Sequence, residues 1–180
     1  DCKCMVFSST CATYAALDGV ALDENSPQMP LNAYGASKRT VEEFLRDFET
    51  SNGLKSVVFR YFNVAGADDA SEIGVWHQPE THLIPLMIEV AAQKRDALTI
   101  HGTDYSTQDG TCVRDYVHVM DLVEAHVKGL EWLLRGNDSR VFNLGTGKGF
   151  SVKEVVSECI TTTGLDVPHR YGPRREGDAS

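Results

Sequence analysis

An α/β fold is predicted by three features of the sequence. Residues 4–61 read as strand, helix, strand; a second helix and strand follow between residues 120 and 144; and the strands are continuous apolar runs, as parallel strands buried on both faces are. Cys4-Met5-Val6-Phe7-Ser8-Ser9 is apolar and ends in hydroxyls, which predicts a strand already inside a sheet. A domain seldom begins on such a strand, so a segment is expected to precede it. Pro27 and Pro30 interrupt the chain, and Asn32 to Ser51 then carries Val41, Phe44, Leu45 and Phe48 at helical spacing, with Gly53 as the stop. Lys55 to Tyr61 is β-branched and apolar and completes a parallel unit with a helical crossover.

Beyond Gly66 a polar loop is expected through Gln78, then a helix from Leu83 to Lys94 with Pro85 in its first turn, and a short strand from Leu98 to His101. Met120 to Leu134 predicts a helix whose inner face carries Leu122, Ala125, Leu130 and Leu133; Val141 to Leu144 predicts another strand. Gly145-Thr146-Gly147-Lys148-Gly149 follows that strand as a phosphate loop would, but matches neither the dinucleotide fingerprint nor the Walker spacing and is read as a turn. Ser151 and Glu154 form a capping box for a last helix bearing Val152, Val155, Val156, Cys159 and Ile160, closed by Gly164.

Composition bounds the function. The chain is 42% hydrophobic and 24% charged, the balance of a globular protein. Its net charge of −9 excludes partners bound chiefly through positive surface, so neither nucleic acid nor an anionic membrane is expected. No apolar run approaches the roughly 20 residues that cross a bilayer. Five scattered cysteines fit free thiols in a reducing compartment, and the location expected is the cytoplasm. No metal site is expected, because His77 and His82 are five apart across Pro79 and do not share a helical face.

The chemistry is concentrated in Tyr34-Gly35-Ala36-Ser37-Lys38, since residues four apart on a helix place a phenol beside an ammonium. A neighbouring positive charge favours the phenolate, and with it a general base near neutral pH. Ser8-Ser9-Thr10 ends the first strand, on the edge where parallel sheets place ligands, and offers a hydroxyl to the same substrate atom. Tyr-x-x-x-Lys also arises on helices with no chemistry. Arg114, Arg174 and Arg175 suit a pyrophosphate in an otherwise acidic chain, although Arg114 pairs equally well on paper with Asp109 or Asp115.

Val6 to Thr10, Asn32 to Lys38 and Arg60 to Ala67 stand in the order seen in extended short-chain dehydrogenases, which the chain resembles. Glu80 to Pro85, Gly102 to Tyr105, Asp109 to Val119 and Arg174 to Asp178 narrow the resemblance to the UDP-glucose 4-epimerases. That resemblance implies the C-terminal part of a Rossmann-like parallel sheet in residues 1–66, and most of a smaller α/β substrate-binding region in residues 67–180, with residues 115–149 returning to the Rossmann sheet. It implies inversion at C4 of UDP-glucose or UDP-galactose through a 4-keto sugar, with tightly bound NAD. Tyr34, Lys38 and Thr10 would be catalytic, and Ser8, Ser9, Tyr34, Lys38 and Phe62 would meet NAD. Thr10, Asn63, His82, Leu83, Thr99, Ile100, His101, Arg114, Arg175 and Asp178 would meet the UDP-sugar. It further implies that the glycine-rich cradle of NAD precedes residue 1, that residues 1–180 alone bind NAD weakly and are inactive, and that the full-length protein is a homodimer through the Tyr34 helix. Ala15 stands where the family usually has glycine, so strain at a positive φ is expected there. The alternatives are a 4,6-dehydratase or decarboxylase, which Cys11 and Ala12 after Thr10 disfavour because water elimination needs further acid and base groups, and a non-catalytic nucleotide-binding relative.

Overall fold

The computed structural model describes residues 2–15, 19–70 and 72–175. Strand β1 (Cys4–Thr10) leads through a short 3-10 turn into helix α1 (Ala33–Asn52), which returns to β2 (Lys55–Tyr61). β1 and β2 pair in parallel, Cys4 with Lys55 through Thr10 with Tyr61, and β6 (Arg140–Leu144) pairs in parallel on the other side of β2. α1 starts where Asn32 accepts the Gly35 N–H and stops at Gly53, whose φ of 68° is left-handed. Alternation along β2 assigns its two faces. Arg60 reaches Glu42 of α1, while Val57 and Phe59 meet α3 (Val119–Leu134) on the opposite face.

The inner stripe of α3 is Leu122, Gly129 and Leu133, with Ala125 half-buried; Leu130, expected there, is 43% exposed. The reason is closeness. A Cβ at Gly129 would lie 2.9 Å from the Phe59 ring and 3.1 Å from Val57, so the helix settles on the sheet along the side that has no side chain there.

A second core lies beyond this layer, where Met87 and Val90 of α2 (Leu83–Ala91), Leu98 and Ile100 of β4 (Leu98–His101) and Val152 and Val156 of α4 (Val152–Thr163) pack with Val167. α2 is shorter than its sequence pattern, because Ala92 caps it and Gln93 takes φ 56°, which ends the helical run. The capping box of Ser151 and Glu154 forms as expected. β4 pairs in parallel with β8 (His169–Gly172), and β5 (Val113–His118) pairs with both β3 (Asn63–Ala65) and β7 (Gly149–Ser151). Among the described residues no helix is long and apolar enough to cross a membrane.

Candidate active site

β1 and α1 bring Thr10, Tyr34 and Lys38 together. Thr10 caps the 3-10 turn, its hydroxyl accepting the Ala12 N–H at 3.2 Å, and it lies near enough to the Tyr34 phenol to favour its ionised form. Gly35 makes this approach possible: a Cβ there would lie 2.1 Å from the Ala12 carbonyl oxygen, so any larger residue would push the first turn of α1 off the end of β1. The Lys38 ammonium donates to the Ser8 carbonyl at 2.9 Å and stands 5.1 Å from the Phe7 ring centre and 5.8 Å from that of Tyr34.

This geometry changes one expectation. Burial pushes the Tyr34 phenol above its ordinary value; the Thr10 hydroxyl works against this, while Tyr61 and Cys11 add to it. The Lys38 ammonium, the charge expected to favour the phenolate, donates to the Ser8 carbonyl. The hydroxyls of Ser8 and Ser9 are likewise engaged within the protein. His126 fixes its tautomer by donating Nδ1–H to the Leu122 carbonyl at 2.8 Å, so Nε2 accepts from Ser8 at 2.8 Å; Ser9 donates to Glu42 at 2.5 Å.

Glu42 and Arg60 form a buried pair invisible in the sequence, with side chains 2% and 4% exposed and Nη2 2.6 Å from Oε2. Gln28 also donates to Glu42, and Arg60 donates to the Tyr14 hydroxyl at 2.9 Å, which in turn donates to Asn143 at 2.6 Å. Burial alone would raise the Glu42 carboxyl, but the bonds from Arg60, Ser9 and Gln28 outweigh it and hold the group below the usual carboxylate range. The network therefore ties the residue before Thr10 to the third turn of the helix that carries Tyr34. Ala15, next to Tyr14, is unstrained: its N–H donates to the Pro27 carbonyl at 2.8 Å, and Gln93 is the only non-glycine at positive φ among the described residues.

Leu83, Thr99, Ile100, His101 and Arg175 line one cavity of about 320 Å³ with Glu80. Phe62, half-buried, connects β2 to β3, which opens on the exposed Asn63, and Phe62 N–H donates to the Leu144 carbonyl at 3.3 Å. Arg114 does not line the cavity. It donates to the Val113 carbonyl at 2.8 Å, and its charge opposes the effect of burial, which raises the thiol of Cys11. Asp178 lies outside the described residues. The Gly145–Gly149 turn has an anion of its own, since Asp115 accepts from Thr146 N–H and hydroxyl at 2.9 and 2.8 Å and from Gly147 N–H at 2.8 Å. A carboxylate sits where a phosphate loop would hold a phosphate.

The spacing argument against a histidine cluster does not survive folding. The loop before α2 brings the His77 and His82 rings to 5.0 Å, and both Nδ1 atoms face Glu80 Oε1, at 3.7 and 2.7 Å. A helical test of spacing misses residues that a loop brings together.

Residues 1–145 match the NAD dependent epimerase/dehydratase family. A UDP-glucose 4-epimerase of Rhizobium leguminosarum bv. trifolii is 52% identical over 174 residues, which are 97% of this chain and 53% of that protein. The chain spans about half the length of the curated relatives it matches. Among solved structures, UDP-glucose 4-epimerase from Brucella ovis in complex with NAD superposes with a TM-score of 0.93 at 44% identity, covering 98% of this chain and 55% of that one. The Stenotrophomonas maltophila enzyme with bound NAD and formylated UDP-arabinopyranose also gives 0.93, at 39% identity, covering 98% of this chain and 53% of that one.

Proposed function

Because the chain belongs to the NAD dependent epimerase/dehydratase family, we propose that the protein carrying it inverts the C4 hydroxyl of UDP-glucose and UDP-galactose through a transient 4-keto sugar. The observation that carries this reading is the convergence of Thr10, at the carboxyl end of β1, with Tyr34 in the first turn of α1 and the Lys38 ammonium one helical turn along. Tyr34, ionised to the phenolate, takes the proton of the C4 hydroxyl and returns it once the sugar ring has presented its other face. Thr10 orients that hydroxyl. When bound, NAD supplies the hydride acceptor and donor, and it is regenerated in each cycle. The residues fit it: Lys38 spends one of its three N–H donors on Ser8 and has two for a ribose, and Phe62 offers an aromatic wall.

Ser8 and Ser9 serve NAD by shaping the strand end rather than through their hydroxyls. The cavity receives the UDP part, with Thr99, Ile100 and His101 beside the base, Leu83 at the start of α2 and Arg175 on phosphate. Asn63, His82, Arg114 and Asp178 complete the UDP-sugar contacts. Residues 1–66 with 115–149 make the cofactor half, and the remainder of 67–180 the substrate half. Homodimerisation through α1 is supported by Phe44 and Phe48, which are 56% and 51% exposed four residues apart on it, and a cytoplasmic location by five free cysteines.

The test is conversion of UDP-galactose to UDP-glucose, without added NAD, by protein containing residues 1–180, compared with its Tyr34→Phe variant. Turnover that falls by about 10² to 10⁴ in the variant is expected. No turnover by folded, NAD-loaded protein, or an unimpaired variant, refutes the assignment.

A further inference from the structure

The loop between β3 and α2 ends in a cluster that overlaps the proposed UDP-sugar contacts at His82, while Glu80 also lines the cavity. His77 and His82 lie with ring centres 5.0 Å apart, tilted by 58°, on either side of one carboxylate. One donor atom from each of His77, Glu80 and His82 lies within 4.8 Å of the other two. The carboxylate is fixed and the imidazoles are accessible: Glu80 is 9% exposed at its side chain, against 48% for His77 and 63% for His82. Two backbone N–H groups, from Thr81 at 2.7 Å and His82 at 2.8 Å, donate to Glu80 Oε1 and set its orientation. His82 also caps α2 without a side-chain bond to the helix, whereas Asn32, His118 and Ser151 all spend their side chains on their own caps.

We propose that His77, Glu80 and His82 bind a borderline divalent transition cation, Zn²⁺ being the reference case, with water in the open position. Two imidazoles and one carboxylate are a donor set this class of ion accepts, with tetrahedral donors about 3.4 Å apart at bond lengths near 2.1 Å. Rotation of the two exposed rings about their side-chain bonds closes the present separation, while the amide bonds to Glu80 act as the outer support a metal ligand requires. Occupation pins the last residues of the loop to the first turn of α2. It engages none of Thr10, Tyr34 and Lys38, but the ion and the UDP-sugar compete for His82.

The experiment titrates the full chain with Co²⁺ as the optical probe and then Zn²⁺ as the competitor. One equivalent bound with visible Co²⁺ absorption, no near-ultraviolet thiolate charge-transfer band, and displacement by Zn²⁺ is the expected result. His77→Ala, His82→Ala and Glu80→Gln, each checked for folding by circular dichroism without metal, should weaken binding about tenfold or more. A thiolate band would place the ion on the exposed Cys2 and its neighbour Cys4 instead, and overturns the proposal. So does equal affinity in the histidine variants, or no binding at all.

Discussion

Replacing Glu42 with glutamine leaves Arg60 buried opposite a neutral amide. Arg60 donates to the carboxylate through Nε at 3.1 and 3.2 Å and through Nη2 at 2.6 Å, and both side chains are almost wholly enclosed. An amide keeps one acceptor oxygen but turns an NH₂ toward Arg60, Ser9 or Gln28, which are all donors. Breaking one side of such a pair costs about 3–5 kcal/mol, against a total of about 5–15 kcal/mol for a domain. With a urea m-value near 2 kcal/mol/M, the midpoint at pH 7 should fall by about 1.5–2.5 M. Acid supplies the second reading. The Glu42 carboxyl is held below its usual range in the folded chain, so its contribution is full above the unfolded value of about 4.3 and fades as pH drops through the folded one. Wild type and variant should therefore converge in acid. A variant within 1 kcal/mol of wild type at pH 7, or a gap that is constant with pH, would refute the idea that this pair clamps α1 to β1.

Ultraviolet titration of the chain minus its Tyr34→Phe variant should place the phenol midpoint above about 10, and Thr10→Val should move it further up by removing the opposing hydroxyl. Gly35→Ala should displace the first turn of α1, raising the Tyr34 midpoint in the same assay and lowering stability by about 1–3 kcal/mol. Gly129→Ala gains helix propensity of about 1 kcal/mol but forces a methyl onto Phe59 and Val57, so thermal melting should show a net loss. Ser151→Ala removes the α4 cap and the 2.5 Å bond to Asp109, and should cost about 1–3 kcal/mol in chemical unfolding.

The elements legible in the sequence were those with local punctuation. Asn32 and Gly53 bound α1, Ser151 and Gly164 bound α4, and the apolar runs at Lys55–Tyr61 and Leu98–His101 are strands over those same residues. β3, β5, β7 and β8 carry no such signal, being three to six residues long and paired through contacts far away in sequence. Spacing on one helix exposed Tyr34 and Lys38 as a pair, but not the direction of the ammonium, which a carbonyl on another element sets. Glu42 and Arg60 are 18 residues apart, on a helix and a strand, and no periodicity links them. Leu130 shows the limit of counting apolar positions, since the inner face of α3 was chosen by a glycine.

The bonds that hold the start of the chain also order events in time. Ser8 meets His126 across 118 positions, Tyr14 meets Asn143 across 129, and Asn143 N–H meets the Glu24 carboxylate across 119. At a synthesis rate of roughly 5–20 residues per second, Tyr14 waits about 6–26 s for its partner to be made. Contacts this distant are also slow to close during folding. The end of β1 that presents Thr10 is thus translated well before the partners that lock it in place.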